Sequence, residues 1–339
     1  MENQEAIVIL NWNGEKHLAE FLPSVIEYTP LSVDIIIADN GSTDSSLELL
    51  RQAKFQRVKI IELDHNYGFA EGYNRALATL NYEIVILLNS DVAVTQGWCE
   101  PLFEALRSNK KIAAVAPKLK SYLSPDNFEY AGASGGYIDY LGYPFCRGRI
   151  LQTVEKDLGQ YDDARDVMWV SGAAFTCRLS TFKELGGFDN DFFAHMEEID
   201  LCWRFSLAGY RVVIIPQSTV YHLGGGTLNV SSPHKTFLNH RNNLAMLFKC
   251  ASPTQRLVVA ALRPLLDFSA ALSYLTKGQW ENFTAVFRAY KEFIAWHPRL
   301  QRKRHAIQSC KKSNLTQIYR GSIILRTIFK SRFFGDISI

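Results

Sequence analysis

The segment Ile84-Val85-Ile86-Leu87-Leu88-Asn89-Ser90-Asp91 indicates the fold class of this 339-residue chain. Its apolar run has no polar alternation, which predicts a strand covered on both faces, as in a parallel sheet. Three earlier runs have the same character, and helix-like stretches separate them. The predicted strands are Ala6–Leu10, Asp34–Ala38, Val58–Leu63 and Ile84–Leu88, and the predicted helices are Glu15–Tyr28, Ser45–Lys54 and Gly68–Leu80. This alternation predicts an open α/β sheet with right-handed crossovers.

Polar residues follow each of these four predicted strands. The clusters are Asn11-Trp12-Asn13, Asp39-Asn40-Gly41-Ser42, Asp64-His65-Asn66-Tyr67-Gly68 and Asn89-Ser90-Asp91. Ligands of open α/β sheets bind beyond the carboxyl ends of the strands, so four clusters there predict one site. Asn89-Ser90-Asp91 is also a plausible turn, since all three residue types form turns. As a ligand site, it would hold Mg²⁺ or Mn²⁺ on a diphosphate, which needs only one or two protein carboxylates.

A second acidic segment opens a predicted helix, Glu197–Leu207, and contains Glu197, Glu198 and Asp200. Acids in a first helical turn favour the helix dipole, and this explains one or two of them. The surrounding Phe, Met, Ile and Leu side chains favour a different interpretation. Carboxyl groups in an apolar setting have raised pKa values, and one of them can accept a proton near neutral pH.

Strands are also predicted at Trp169–Phe175, Arg211–Pro216 and Thr219–His222. Between Pro117 and Met168 the pattern predicts loops and short antiparallel strands. His222 follows the last of the strands and precedes Gly224-Gly225-Gly226, which has the composition of a mobile lid. A lone histidine is usually structural, but this setting favours a metal ligand.

Composition excludes several classes of protein. A net charge of +3 gives no support to nucleic-acid binding. The six cysteines show no zinc-like spacing, and the acidic N-terminus does not resemble a signal peptide. No run reaches the ~18 uncharged apolar residues of a membrane span. We therefore expect a cytoplasmic protein. From Arg299 onward, however, ten Lys or Arg face one acid, which predicts either a solvated surface or contact with the inner face of the membrane.

Taken together, the motifs resemble the family-2 inverting glycosyltransferases with the GT-A fold, and within them the rhamnosyltransferase-like branch of bacterial surface-polysaccharide synthesis. The resemblance runs from about Ala6 to about Lys249 and includes Gly187-Phe188-Asp189 and His240-Arg241-Asn242-Asn243. It implies a mixed, mostly parallel sheet between helices. We expect a catalytic domain over 1–250, with a donor half (1–116) and an acceptor half (117–250), and a C-terminal helical, basic extension over 251–339.

The resemblance also implies roles for individual residues. The base position falls on Glu198, and the metal positions fall on Asp91 and His222. The expected donor-binding residues are Asn11, Asn13, Asp39, Asn66, Gly68, Asn74 and Asn89. The expected acceptor or sugar contacts are Trp169, Gly172 and Glu197. The sequence departs from the family twice, because Asn89 replaces an Asp in the metal triplet and Glu198 stands where Asp is commoner.

The resemblance predicts an inverting, metal-dependent enzyme that transfers a sugar from a UDP- or dTDP-linked donor, with dTDP-rhamnose as one candidate. The acceptor would be a glycan or a lipid-linked glycan, and a homodimer is an open alternative. A sugar-phosphate nucleotidyltransferase should have a Gly-rich basic loop after its first strand, where this chain has Asn11-Trp12-Asn13-Gly14. A dehydrogenase lacks support because the chain does not contain the GxGxxG fingerprint of dinucleotide-binding folds after a predicted strand. A non-catalytic carbohydrate-binding relative would keep the pocket and lose the acids, whereas Asp91, Glu198 and His222 are all present in this chain.

Overall fold

The computed structural model describes residues 3–224, 232–313, 317–329 and 333–337 of the chain. Its strands are β1 (Glu5–Asn11), β2 (Val33–Asn40), β3 (Val58–Leu63), β4 (Ile84–Asn89), β5 (Val92–Val94), β6 (Ile112–Ser121), β7 (Gly136–Asp139), β8 (Pro144–Cys146), β9 (Arg149–Ile150), β10 (Thr153–Val154), β11 (Arg165–Asp166), β12 (Ala174–Arg178), β13 (Arg211–His222) and β14 (Ile318–Tyr319).

The α-helices alternate with these strands at first and then follow one another. They are α1 (Glu15–Tyr28), α2 (Ser46–Leu50), α3 (Gly68–Ala78), α4 (Glu100–Ser108), α5 (Leu179–Glu184), α6 (Glu197–Leu207), α7 (Pro233–Cys250), α8 (Pro253–Thr276), α9 (Trp280–Ala295), α10 (His297–Ser309) and α11 (Ile323–Phe329). Short 3₁₀ turns lie at Ala53–Phe55 and Phe334–Asp336.

The main sheet is mixed and has the strand order β11-β13-β6-β12-β4-β1-β2-β3, with β5 beside β13. Strands β1 to β4 pair in parallel, whereas β12 runs antiparallel to both β4 and β6. Residues Ile84 to Leu88 of β4 have no exposed surface, so the apolar run is covered on both faces, as predicted. A smaller sheet, β10-β9-β8-β7-β14, supplies the short hairpins expected before Met168.

Three predicted boundaries were wrong. The strand expected at Trp169–Phe175 begins only at Ala174, because Ser171 accepts a hydrogen bond from the Ala173 amide and forms a turn there. The two strands expected between Arg211 and His222 are one strand with a register shift that accommodates Pro216. The second helix stops at Leu50, and a 3₁₀ turn follows it.

The C-terminal helices pack on one another and on the preceding part of the chain. Helix α7 contacts α6, α9 and α10, and α8 contacts α9. Pro264 lies inside α8, and Trp296 separates α9 from α10. Within the described residues, α8 alone is long and apolar enough for a membrane span by length and composition.

Candidate active site

The carboxyl ends of the parallel strands bring the predicted polar clusters together. Asn11 lies beside Asp39 in the β1–β2 pairing, and Leu10 lies beside Asn89 in the β1–β4 pairing. Asn11 Nδ2 donates to Asp39 Oδ1 over 3.0 Å, and the Ser42 amide donates to Asp39 Oδ2 over 2.9 Å. Asn11 Oδ1 is buried without a hydrogen-bond partner. An unpartnered acceptor therefore lies just beneath the carboxyl end of β1, beside the predicted site.

Two further asparagines hold the loops around this crevice. Asn13 Oδ1 accepts from the Thr43 amide over 2.7 Å, which joins the β1 and β2 loops. Asn66 Oδ1 accepts from the Gly68 amide over 2.8 Å and from Asn40 Nδ2 over 3.1 Å. Asn13 has a positive φ of 49°, a conformation that asparagine adopts more readily than most residues. Both side chains thus fix loop shape from within the predicted donor site.

Gly68 is required by the backbone and by its surroundings. Its φ is 78°, and a Cβ there would lie 2.5 Å from the Phe193 ring. The amides of Phe69 and Ala70 donate to the Phe193 carbonyl over 2.7 and 3.3 Å. The start of α3 is therefore bonded to Phe193, in the loop that leads into α6. The predicted donor loop thus contacts the loop that precedes Glu197 and Glu198.

Asp91 and His222 form a buried pair at the end of β4. His222 Nε2 lies 3.2 Å from Asp91 Oδ1 and 3.4 Å from Asn89 Nδ2, while His222 Nδ1 lies 3.4 Å from Glu129 Oε1. Burial alone would lower the pKa of His222, but the hydrogen bonds and charges of Asp91 and Glu129 raise this pKa to about 10. Burial opposes ionisation of Asp91 as well, yet the hydrogen bond from His222 keeps the Asp91 pKa below its ordinary value.

This pair fits a divalent cation that is shared with a diphosphate. A carboxylate oxygen and an imidazole nitrogen point to one place, and Glu129 can orient the ring through its other nitrogen. No cluster of three or more His, Cys, Asp or Glu suited to a metal occurs among the described residues. Two protein ligands suffice where phosphate oxygens complete the coordination shell. Gly225 and Gly226 of the expected lid lie outside the described residues.

Glu197 and Glu198 begin α6 after a turn of unusual backbone conformation. His195 and Met196 both have left-handed φ values, 70° and 71°. Such values are costly for residues other than glycine, and they persist where surrounding contacts hold them. Burial raises the pKa of both glutamates, and in Glu197 the negative charge of Glu198 adds to this effect. One carboxyl oxygen of each has no hydrogen-bond partner, so this pair can bind or exchange a proton with a ligand.

Helix α7 holds that turn in place. Asn242 Nδ2 donates to the carbonyls of Ala194 and His195 over 2.9 and 2.8 Å. Arg241 Nη2 donates to the Asp191 carbonyl over 3.2 Å. The segment His240-Arg241-Asn242-Asn243, noted in the sequence for its resemblance alone, thus has a physical role as the support of the acidic segment.

A network of buried charges anchors the same segment. Lys249 on α7 pairs with Asp189 and with Asp200, the latter over 2.8 Å. Lys303 on α10 pairs with Asp189 and, over 2.7 Å, with Asp191. Arg299 lies 2.6 Å from Asp191. Part of the basic tail therefore forms partly exposed ion pairs with Asp189 and Asp191, where the sequence had suggested a solvated or membrane-facing surface.

The remaining predicted site residues have different surroundings. Asn74 Oδ1 accepts from the Phe188 amide over 3.0 Å, and Asn74 Nδ2 donates to the Phe188 carbonyl over 2.9 Å. Asn74 therefore joins α3 to the loop that leads into α6. Trp169 is 2 % exposed, and its indole N–H donates to the Tyr137 carbonyl. It therefore packs behind the site and offers no face to a sugar. At Gly172, a Cβ would lie 3.9 Å from the Glu198 Cβ, so this glycine leaves room beside the expected base.

Sequence reasoning missed several residues that shape the site. Glu129 lies in a region without a clear pattern, so nothing in the sequence indicated its contact with His222. Lys249 and Asp189 were each visible as charged residues near matched motifs, but no spacing rule predicts that they pair across 60 positions. Only tertiary packing brings these residues together.

Comparisons with known proteins concern the sequence and the fold of the chain. Residues 6–169 match the Glycosyl transferase family 2 model. The N-acetylglucosaminyl-diphospho-decaprenol L-rhamnosyltransferase of Mycobacterium tuberculosis is 29% identical over 234 residues, which cover 64% of this chain and 75% of that protein. The family match ends at residue 169, so the acidic segment and helices α7 to α10 all lie beyond it.

Two solved structures have the same fold at low sequence identity. S. aureus TarS 1–349 in complex with UDP-GlcNAc superposes with a TM-score of 0.57 at 15% identity, covering 91% of this chain and 88% of that one. The structure of GalNAc-T7 with UDP, GalNAc and Mn²⁺ superposes with a TM-score of 0.59 at 17% identity, covering 77% of this chain and 50% of that one. With the mixed sheet described above, these likenesses show a GT-A-like fold with a C-terminal helical region, and the sequence match shows that residues 6–169 form a glycosyl transferase family 2 domain.

Proposed function

We propose that the protein transfers a sugar from a nucleoside diphosphate sugar to a hydroxyl of a glycan or lipid-linked glycan, with inversion at the anomeric carbon. The observation that carries this proposal is the Glu197–Glu198 pair, in which Glu197 is buried and Glu198 half-buried, with an unpartnered oxygen on each carboxyl group and raised pKa values. Glu198 accepts the proton of the acceptor hydroxyl as its oxygen bonds to the anomeric carbon. The bond from that carbon to the diphosphate breaks in the same displacement, which inverts the configuration.

Asp91 and His222 are the residues that would hold Mg²⁺ or Mn²⁺ on the donor diphosphate. When bound, the cation supplies positive charge opposite the departing diphosphate. Support comes from the convergence of their ligand atoms at 3.2 Å and from the position of Glu129 behind His222. The Mn²⁺ in the structure of GalNAc-T7 is consistent with this assignment.

The proposed donor carries uracil or thymine, because Asp39 can accept a hydrogen bond from the imide N–H of either base. Asp39 already accepts from Asn11 and Ser42, but each carboxylate oxygen retains a further lone pair. The name of the mycobacterial relative favours an L-rhamnosyl donor and a diphospho-lipid acceptor, and that of the TarS complex favours UDP-GlcNAc. Surface-polysaccharide synthesis is the process that we propose for this chain.

The proposed location is the cytoplasm, with peripheral contact at the inner face of the cytoplasmic membrane where a lipid-linked acceptor would be reached. The basic tail supports this contact less than its charge suggested, because Arg299 and Lys303 pair with aspartates and Arg304 donates to three carbonyls. Homodimer formation has no support in the described residues and stays an untested alternative.

A donor panel tests the proposed function. Purified protein is incubated with dTDP-rhamnose, UDP-glucose, UDP-galactose, UDP-GlcNAc and GDP-mannose, with and without Mn²⁺, and nucleotide binding and release are measured. We expect tight binding and slow hydrolysis of one UDP- or dTDP-sugar, and NMR of the transferred sugar should show inversion. Preferential binding of GDP would contradict the pyrimidine assignment. Binding without any transfer or hydrolysis would favour a non-catalytic carbohydrate-binding protein. Nucleotidyl transfer to a sugar phosphate would favour a sugar-phosphate nucleotidyltransferase.

A further inference from the structure

Helix α8 has its charged residues on the inside and its apolar residues on the outside. The buried positions are spaced four apart: Gln255, Val259, Arg263, Asp267 and Ala271. A helix on the surface of a soluble protein normally shows the opposite arrangement, with its apolar stripe facing the core. The outward face of α8 therefore needs its own explanation.

Polar bonds fix the inner face of α8 to the protein. Arg263 Nη1 donates over 2.8 Å to both the Leu141 carbonyl and Asn243 Oδ1. Asp267 accepts from the hydroxyls of Tyr143 and Tyr290 over 3.1 and 2.7 Å. These contacts hold the middle of the helix, so its orientation on the catalytic domain is determined and its other face is presented outward.

The outer face carries no charge from Leu257 to Thr276. All thirteen exposed residues in that stretch are uncharged: Leu257, Ala260, Ala261, Leu262, Pro264, Leu265, Phe268, Ser269, Ala270, Leu272, Ser273, Leu275 and Thr276. The large side chains Leu257, Leu265, Phe268, Leu272 and Leu275 recur at helical spacing and are between 40 and 74% exposed. At 1.5 Å per residue the helix is about 36 Å long.

The apolar surface continues onto α9 through aromatic contacts. The Phe268 ring lies 6.2 Å from the Phe287 ring, Phe287 lies 5.0 Å from Phe283, and Phe283 lies 5.2 Å from Trp280. Trp280 is 60% exposed and Phe287 is 46% exposed. We call this set, Leu257, Leu265, Phe268, Leu272, Leu275, Trp280, Phe283 and Phe287, the α8–α9 apolar face. Contiguous faces of this kind mark contact with a protein or a membrane.

The charges around the face are mostly positive. Lys277 follows α8 directly, and the exposed charged residues of α9 are Arg288, Lys291 and one acid, Glu281. The other acid of α9, Glu292, is paired with Arg241 at 2.9 Å. Cations next to an apolar helix complement anionic head groups, and an exposed tryptophan at a helix end suits the interface between acyl chains and water.

We propose that the α8–α9 apolar face rests in the interface of an anionic phospholipid bilayer, with α8 parallel to the membrane plane. This deepens the membrane contact of the proposed function and moves it from the basic tail to an apolar surface. Spanning is excluded because Arg263 and Asp267, in the middle of α8, are bonded to Leu141 and Tyr143 of the catalytic domain. Fluid acyl chains accommodate a convex helix without a matching groove. A symmetric contact between two copies would instead bring the bordering cations together.

Vesicle flotation of the full chain tests the proposal. The vesicles contain phosphatidylcholine with or without phosphatidylglycerol, at low and high salt. The variant Leu265→Ser/Phe268→Ser/Leu272→Ser should bind phosphatidylglycerol vesicles at least tenfold less than the unchanged protein. The control Leu31→Ser/Leu123→Ser/Leu158→Ser removes three leucines elsewhere that are more exposed than the test residues, and it should bind like the unchanged protein. Some binding of the unchanged protein should persist at high salt, because apolar contact is not screened.

A second measurement places the face at the lipid. Vesicles with brominated acyl chains should quench part of the tryptophan fluorescence of the unchanged protein, and Trp280→Phe should remove that part. Equal flotation of the triple variant and the unchanged protein would overturn the proposal, as would a dimer in solution that the triple variant dissociates. UDP and dTDP affinity, measured without vesicles, should not change in the triple variant. Failure of lipid binding is thereby distinguished from failure of the proposed transfer reaction.

Discussion

His222 Nε2 lies 3.2 Å from Asp91 Oδ1 although the two residues are 131 positions apart in the chain. The pairing of β13 with β5 makes this contact, since His222 lies opposite Val92 in the register of the two strands. Glu129 lies 3.4 Å from the other nitrogen of the ring. A carboxylate, an imidazole and a supporting carboxylate are thus aligned at the end of the central strand.

The first prediction is that Asp91→Ala and His222→Ala weaken binding of the nucleoside diphosphate in the presence of Mn²⁺ or Mg²⁺. Each substitution removes one of the two expected metal ligands. Calorimetry with UDP and dTDP, with and without a chelator, measures the effect, and Glu104→Ala at an exposed position on α4 serves as the control. If neither the substitutions nor the chelator changes the affinity for UDP and dTDP, Asp91 and His222 do not form a metal site.

The second prediction concerns Glu129, which contacts His222 and not the diphosphate. Glu129→Gln should lower the affinity for Mn²⁺ by about 10- to 100-fold, the usual effect of losing a carboxylate that orients a metal-bound histidine. Titration of Mn²⁺ in the presence of UDP measures this, and Glu129→Asp should recover part of the loss. A normal Mn²⁺ affinity in Glu129→Gln would leave Glu129 with a packing role.

The third prediction is that Glu198→Gln lowers turnover by roughly 10²–10⁴-fold with donor binding largely retained, because the amide cannot accept the acceptor proton. Turnover is measured with the donor found in the panel, and binding is measured by calorimetry. Glu184→Gln, an exposed acid on α5, is the matched control. Transfer near the unchanged rate would remove Glu198 from the role of base.

The fourth prediction is a pH dependence. Glu198 must be deprotonated to act as a base, and burial raises its pKa, so turnover should fall on acidification at a higher pH than an ordinary glutamate would allow. Burial raises the pKa of Glu198, and the charge of Glu198 in turn raises the pKa of Glu197, so Glu197 takes up a proton first on acidification. Glu197→Gln keeps a neutral side chain at that position and should therefore leave the acidic limb in place, whatever the absolute rate. A limb that moves in Glu197→Gln would contradict this order of protonation.

The fifth prediction is that Lys249→Met destabilises the protein by about 1.5–3 kcal/mol, because Asp189 and Asp200 would each lose a buried charged partner while Asp189 keeps Lys303 and Asp200 keeps Arg204. Urea unfolding followed by circular dichroism measures this change. Arg51→Met, which removes one side of the exposed pair Arg51–Glu62, should cost less than about 1 kcal/mol. Equal, small effects of both substitutions would show that the buried network does not stabilise the acidic segment.

The parallel strands and the crevice at their carboxyl ends were predictable from the chain alone. Local periodicity sets these elements: β3 and the helices Glu15–Tyr28 and Glu197–Leu207 were predicted with the bounds that they have in the structure. The resemblance of the motifs added the family, which the comparisons confirmed. The roles of individual site residues stay predictions until the variants above are measured.

Other features depend on contacts between distant segments, which periodicity does not record. The sequence showed Lys303 as one more cation in a basic tail, yet it pairs with Asp189 and Asp191. It showed Arg263 and Asp267 as interruptions of an apolar run, yet both point inward and leave the apolar side outside. Residue type and spacing decided which helices and strands form, because those depend on neighbours in the chain. Burial, ion pairing and the direction in which α8 faces were decided by packing alone, since they depend on which segments meet.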